Sequence, residues 1–405
     1  MHARLARRRL EADSAFRTGI VTGLGELFTA LPRFLSLQLQ GVELAERRLA
    51  LMWAAMPGVA REEYCQRAIS GELLATNAIE GVSSTRQETD LAVRSARESQ
   101  GGQGKSAQGK SVRGKLARGK QVRFGETARL YWALSQGEVD VPRSLLDIRR
   151  MYDAVVGGEI APADQPDGEL FRSHDVSIQG PRGSEHRGVS GELRIGQALT
   201  QMMDMVANPG IPGLLAALMA HFVFEYVHPF YDGNGRTGRY LLALYLADDL
   251  TLPTVLSLSR AIADHKSEYD KAFRQAENKL NCGELTFFVS TILGFISQAQ
   301  AELMARFEEQ EGQQSKAQEA CQQAKAQTNL SKPAASLLEA LMEEHVLGTQ
   351  EGMTLDAAAQ RLDLGKQSAR AYMSQLVDAG LAQYATRRPL SLTVSPTLAH
   401  QVEEA

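Results

Sequence analysis

The residues able to do chemistry are concentrated in HFVFEYVHPFYDGNGRTGRYLLALYLADD, residues 221–249. An apolar helix runs up to Val227 and stops at His228-Pro229, YDGNG makes a tight turn, and RTGRYLLALYLADD opens a second apolar helix. Gly233 and Gly235 can take positive φ, so successive backbone N–H groups point inward, and the new helix brings the positive end of its dipole to the same place. Turn and helix start together form an anion site, for which phosphate is the natural guest. Arg236 and Arg239, three apart, project on one side and offer planar forks to phosphate oxygens. Two cations at a helix N-terminus oppose the dipole, a conflict that an anion resolves. Asp232 is a hard oxygen ligand suited to Mg²⁺ beside a polyphosphate. His228 can act as a base toward an incoming nucleophile. Taken singly, each residue has a structural reading, a lone His beside Pro above all, and Phe230 is a core anchor. Together, around one double-glycine turn, they have few structural explanations.

These groups need a helix ending at His228, a turn and a second helix, all carried on a helical body. In LSLQLQGVELAERRLALMWAAM apolar residues recur at three- and four-residue spacing, which makes Phe28 to Ala96 helical without strand-like alternation. Residues 1–27 read as a flexible tail: MHARLARRRLEAD has no apolar run behind its arginines, and Glu11 and Asp13 count against a transit peptide. Helix resumes from Leu130 to Tyr152. GELFRSHDVSIQGPRGSEHRGVSG then brings glycine, proline and the alternating run Val176, Ser177, Ile178, a small hairpin on the helical body. Helical periodicity returns at Leu193–Met205 and Leu214–Tyr226, and further helices fit Leu241–Asp249 and Glu284–Arg306.

Residues 98–125 break the pattern with a Gly-Lys pair every five residues, at 104, 109, 114 and 119. Gly104 to Ser111, GKSAQGKS, formally satisfies the phosphate-loop pattern, but that mechanism needs a strand before it and a helix after it. A five-residue repeat generates the match by itself. The segment reads as a flexible, solvated basic loop, with contact to an acidic partner or nucleic acid as the weaker alternative.

At 405 residues, 43% hydrophobic and 23% charged, the chain has an ordinary globular balance and room for two or three domains. The net charge of -4 gives no overall attraction to nucleic acid or an acidic membrane, so any such binding must be local. Cys65, Cys282 and Cys321 lie far apart with no paired spacing, which suggests neither a zinc site nor a disulfide framework and fits a reducing compartment. The apolar stretches are too short or too interrupted by charge to span a bilayer, and the expectation is a cytoplasmic protein with no membrane partner.

HPFYDGNGRTGR, residues 228–239, resembles at every defined position the signature of the Fic-domain family, H-x-F-x-[DE]-G-N-G-R-x-x-R. The resemblance implies an all-α, mostly helical Fic fold with a small β-hairpin flap, which binds ATP over this loop and transfers its AMP moiety to a Ser, Thr or Tyr hydroxyl of a target protein. In that picture His228 is the base, Phe230 anchors the loop and Asp232 holds Mg²⁺. Gly233, Asn234 and Gly235 cradle the phosphates, and Arg236 and Arg239 hold the β and γ phosphates. The family's phosphotransferase branch carries Lys at the Gly235 position, so Gly here favours nucleotidyl transfer. The hairpin with Val176, Ser177 and Ile178 sits where family members carry a flap that aligns the target as an added strand. Downstream residues resemble the closing helices, with Tyr269 in the nucleotide pocket.

The family's inhibitory motif, [ST]-x-x-x-E-[GN], is matched by TNAIEG, with Thr76, Glu80 and Gly81 at its defined positions, on a helix near 70–81. Glu80 paired with Arg239 would occupy the arginine meant for the γ phosphate. The bland alternative makes Glu80 a solvated helix residue with Gly81 as its cap.

The expected order is a tail at 1–27, a helical region at 28–97, the Gly/Lys loop at 98–125, a Fic domain at 126–300, an exposed helical linker at 301–330 and a winged helix at 331–400. In the last, Lys366, Arg370, Arg387 and Arg388 could meet DNA, but Asp356, Asp363 and Asp378 dilute their charge, and docking of a target protein or self-association as a homodimer is the better reading. The leading function is therefore an autoinhibited protein adenylyltransferase using ATP and Mg²⁺. The alternatives are a nucleotide-sensing DNA-binding regulator, removal of AMP from modified targets, and transfer of another nucleotide.

Overall fold

The computed structural model describes residues 1–101, 122–180, 183–346 and 352–404, and divides the chain into two compact units, Met1–Leu303 and Met304–Ala405. The Gly-Lys repeat and its phosphate-loop match lie outside the described residues.

The first unit begins with α1 (His2–Leu10), β1 (Ala15–Thr22), β2 (Gly25–Ala30), α2 (Arg33–Ala55), α3 (Gly58–Ile79), α4 (Arg86–Gly101), α5 (Gly125–Ser135) and α6 (Leu145–Val156). There follow β3 (Ser177–Gly180), β4 (Gly183–Arg187), α7 (Glu192–Val206), α8 (Gly213–Val227), α9 (Asn234–Leu246), α10 (Leu252–Val255), α11 (Leu258–Asp264), α12 (Lys266–Ala276) and the start of α13 (Thr286–Gln327). The sequence GLLAALMAHFVFEYV is apolar on every face, so α8 can only be a central helix, and Leu214 through Phe224 are all buried. α9 packs beside it and is buried from Asn234 to Leu246. Around this pair stand α7 against α8, α6 against α9, and α3 against α4, α5, α9 and α11. The fold is mostly helical.

The N-terminus departs from the flexible tail expected at 1–27. β1 and β2 form an antiparallel hairpin whose Ile20 and Leu27 enter the main core, and Ala6 of α1 is buried. The hairpin is tied down by backbone bonds at Phe28, which donates to Gly283 O at 3.1 Å and accepts from Leu285 N at 2.7 Å. Those partners lie more than 250 residues away, beyond the reach of local pattern. The Leu130–Tyr152 helix is also two helices. Gly137, at φ 70°, and the Ser144 cap, whose Oγ accepts from Asp147 N at 3.2 Å, separate α5 from α6.

In the second unit the remainder of α13 is followed by α14 (Lys332–Val346), β5 (Met353–Thr354), α15 (Leu355–Leu362), α16 (Lys366–Asp378), β6 (Ala382–Arg387), β7 (Leu390–Val394) and α17 (Pro396–Glu404). The strands form an antiparallel sheet in the order β5-β7-β6. The expected exposed linker at 301–330 is corrected here. Ala317, Ala320, Cys321 and Ala324 form a narrow stripe at helical spacing that is buried in this unit's own core, so the unit starts at Met304 rather than near 331. Small side chains among Gln, Glu and Lys hide such a stripe from a hydropathy reading. The three cysteines are unpaired, and among the described residues no helix is long and apolar enough to cross a membrane.

Candidate active site

α8 ends because His228 takes a left-handed conformation, φ 51° and ψ 64°, while its N–H still donates to Phe224 O at 3.0 Å. A non-glycine residue is uncommon there and needs support from its surroundings. Arg172, fully buried, supplies it. Its Nε donates to His228 O at 2.7 Å, Nη1 to His174 O at 2.7 Å, and Nη2 to Val189 O at 2.7 Å and Val227 O at 3.2 Å. Its own N–H donates to Pro229 O at 3.1 Å. Burial pulls this guanidinium below the ordinary arginine value. A side chain at Gly188 would strike both the guanidinium and His228 Cβ, so the backbone must come this close. Sequence reasoning missed Arg172; its one signal is a charge next to the core residue Phe171.

The turn after His228 is held from inside. Phe230 is buried, stacked on Tyr152 at 3.6 Å between centroids and tilted against Phe171 at 5.6 Å. The Asn234 carboxamide accepts from Phe230 N at 2.9 Å and donates to Phe230 O at 2.8 Å. The Asn234 side chain is thus engaged in clasping the turn, which leaves its backbone N–H as the group it could offer to a phosphate cradle. Gly233 caps α9 at φ 80°, and a side chain there would collide with Val156 and Tyr152. Asp232 is exposed, with one carboxylate oxygen accepting from Gly233 N at 2.6 Å and the other turned to no protein hydrogen bond among those of the described residues. No group of three or more His, Cys, Asp or Glu gathers anywhere among the described residues, so the chain offers a single carboxylate to any cation here. That fits an ion held mainly by phosphate oxygens and water.

The two arginines are buried and differently occupied. Arg239 Nε donates to Thr76 Oγ1 at 2.8 Å, Nη2 to Thr76 O at 3.0 Å, and Nη1 pairs with Glu80 Oε1 at 2.8 Å. Thr76 and Glu80, one turn apart, lie on the same face of α3. Gly81 follows at φ 70°, where glycine ends the helix without strain. The Glu80 carboxylate also covers Gly235, where any side chain would collide with it. Burial works against a charged Glu80, but Arg239, with Lys266 and Arg236 behind it, holds the carboxyl below its usual range. Arg236 pairs through Nη1 with Glu159, and its buried Nε–H has no partner among the described residues.

The hairpin β3–β4 pairs Ser177 with Arg187 and Ile178 with His186. Ser177 is exposed, Val176 precedes the strand and accepts from Gly188 N at 3.3 Å through its carbonyl, and the Ile178 side chain lies outside the described residues. Val189 N donates to Val227 O at 3.1 Å, which joins the base of the hairpin to the end of α8 beside His228. Tyr269 is not in an open pocket: it is buried with its hydroxyl 2.7 Å from His221 Nε2 and its ring against Phe273. Beneath the same arginine lies Glu225, which sequence reasoning passed over. Its buried Oε1 has no hydrogen-bond partner among the described residues, and burial pushes its carboxyl up to about 8 although Arg239 opposes the shift.

A model of the Fic/DOC family matches residues 144–246, from the cap of α6 to the end of α9, and this part of the chain is a Fic/DOC family domain. The fold is similar to that of a Fic family protein from Desulfovibrio desulfuricans, with a TM-score of 0.53 at 17% identity over 91% of this chain and 97% of that one. Fic-1 from C. elegans is matched at 19% identity and a TM-score of 0.40, over 67% of this chain and 73% of that one. A Fic domain containing signaling protein from Bacteroides thetaiotaomicron is matched at 14% identity and a TM-score of 0.35, over 64% and 97%.

Proposed function

We propose that this chain is a protein adenylyltransferase that takes AMP from ATP to a Ser, Thr or Tyr hydroxyl of a target protein and is held inactive by Glu80. One observation carries this reading. The start of α9 at Gly235 already carries a carboxylate, that of Glu80, placed on Arg239 as an anion would be. A helix N-terminus that holds an anion of the protein's own suits a phosphate once that anion leaves. The γ phosphate would then take the place of Glu80 on Arg239, and Arg236 would meet it or its neighbour.

His228 ends α8 a few residues before this helix start, with its main chain fixed by Arg172. In the transfer the target hydroxyl oxygen attacks the α phosphorus, the bond to the β phosphate breaks, pyrophosphate leaves, and the hydroxyl proton passes to His228. Mg²⁺, held by Asp232 with phosphate oxygens, would supply charge neutralisation. The β3–β4 edge would receive the target segment as an added strand. The second unit, with helices α14 to α16 followed by the β6–β7 hairpin, is read as a winged helix that docks proteins. Lys366, at the start of α16, is paired with Asp356 at 2.6 Å, which favours docking over DNA binding.

Intact-protein mass spectrometry of wild type, Glu80→Gly and Glu80→Gly with His228→Ala, each with Mg²⁺ and ATP, tests the proposal. It expects an AMP-sized gain in the single variant alone, on itself or on proteins of an added lysate. Silence of the single variant in both settings would sink it.

A further inference from the structure

Two carboxylates hold the two arginines of the anion site, and they hold them in different ways. Around Arg239 every guanidinium nitrogen is taken, by Thr76 and Glu80. Around Arg236 only Nη1 is paired, with Glu159, while Nε–H stays buried and unpartnered among the described residues. A buried donor of a charged group is costly to leave unmade, and Arg236 stands where the α9 dipole already disfavours a cation. Something must both keep the guanidinium there and leave one edge of it open.

Glu159 is built for that task. Gly157 and Gly158, at φ 52° and 78°, turn the chain back at the end of α6, and Glu159 N donates to Val156 O at 2.8 Å. The same end of α6 packs on Gly233 of the motif turn through Val156 and Tyr152, so loop and anion site are fixed to each other. Glu159 is held from behind by Arg123 at 3.3 Å, and Arg123 by Glu88 at 3.2 Å. Glu80 makes no second ion pair among the described residues, only the more distant attraction of Lys266 and Arg236, and its side chain is 35% exposed, against 18% for Glu159.

From this asymmetry we infer that Glu159 is a positioning residue: it stays on Arg236 when an anion enters, neutralises the helix start in the empty state, and aims the open Nε–H edge at the incoming phosphate. Glu80 competes with the anion; Glu159 prepares for it. The inference rests on the anion site proposed above, and its test uses inorganic tripolyphosphate, which needs no nucleoside pocket, target or transfer step.

Binding of tripolyphosphate to the full chain is measured by calorimetry in Glu80→Gly, in Glu80→Gly with Glu159→Gln, and in Glu80→Gly with Glu159→Asp, with melting temperatures as the check on folding. Loss of a charge-assisted partner predicts roughly tenfold weaker binding for Glu159→Gln, with part of the affinity kept by Glu159→Asp. Arg123→Ala, which leaves the Arg236 pair itself in place, should weaken binding in the same direction but less. Equal or tighter binding in Glu159→Gln would make Glu159 a bystander or a second competitor and overturns the inference while leaving the anion site standing. No binding in Glu80→Gly itself overturns both.

Discussion

The Glu80 carboxylate stands 2.8 Å from Arg239 Nη1 and directly against Gly235, so one side chain at the end of α3 both pairs a buried arginine and covers the first turn of α9. Thr76, one turn earlier, completes the contact through its hydroxyl and its carbonyl. Under the autoinhibition proposed above, the brake would be a face of a helix and not a lone glutamate. Opposing it is only what an entering triphosphate offers the same nitrogens.

Thr76→Val tests that division. Valine keeps the shape and the carbonyl contact but removes the hydroxyl that accepts from Arg239 Nε. A hydrogen bond to a charged group contributes about 1.5–3 kcal/mol, so the brake should weaken without being lost. Self-modification or target labelling by Thr76→Val should lie between that of wild type and Glu80→Gly. Labelling no higher than wild type would show that the hydroxyl is not part of the brake.

His228→Ala, placed in the Glu80→Gly background, should lower the rate of AMP transfer by roughly 10² to 10⁴ fold, the range for losing a general base. The His228 carbonyl and N–H, not its ring, make the bonds to Arg172 and Phe224, so the loop should survive. Tripolyphosphate binding by calorimetry should then be nearly unchanged. If binding disappears with the rate, His228 is structural.

Asn234→Ala removes both hydrogen bonds that clasp Phe230 and leaves its buried N–H and C=O without those partners. The cost is of the order of 1–3 kcal/mol for each buried group left unsatisfied. The melting temperature should fall, and tripolyphosphate affinity in the Glu80→Gly background should fall with it, because the turn sets the direction of the Gly233–Gly235 N–H groups. An unchanged melting temperature would show that these two bonds do not hold the turn.

The motif residues were legible in the sequence because their spacing is local: a helix stop, two glycines and a helix start are read within a dozen positions. The central helix α8 was legible for the same reason, being apolar on every face. What was hidden is what the fold brings from afar. Arg172 and Glu159 are charges in loop sequence, and nothing in their neighbours announces that one is fully buried against carbonyl oxygens or that the other faces Arg236. The N-terminal hairpin was hidden because it is completed by residues near 284, and the alanine stripe of α13 because its neighbours are polar. The clasp that the Asn234 side chain makes on Phe230 was hidden too, because it depends on the turn's geometry and not on the motif's spacing.

Glu225 gives the first unit a pH dependence of definite sign. Burial is the main cause that raises its carboxyl to about 8, with Glu80 and Glu277 adding to the shift and Arg239 opposing it. The folded state thus holds a proton that the unfolded chain, with an ordinary carboxyl, releases. Stability from this group is fully present below the ordinary carboxylate range and is lost as pH rises through about 8. Glu72, which burial raises to about 7 despite its bonds to Ser259 and Tyr131, acts in the same direction. Glu80, held low on Arg239, acts in the opposite one, its contribution being lost only as pH falls through the acid range. Glu225→Gln keeps the neutral shape and removes the titration. Urea denaturation of the two proteins from pH 5 to pH 9 should show wild type losing stability relative to the variant, by at most about 1.4 kcal/mol per pH unit, until the curves run parallel at the alkaline end. Parallel curves throughout would mean that Glu225 is already ionised in the fold and that Arg239 keeps a second carboxylate beneath it.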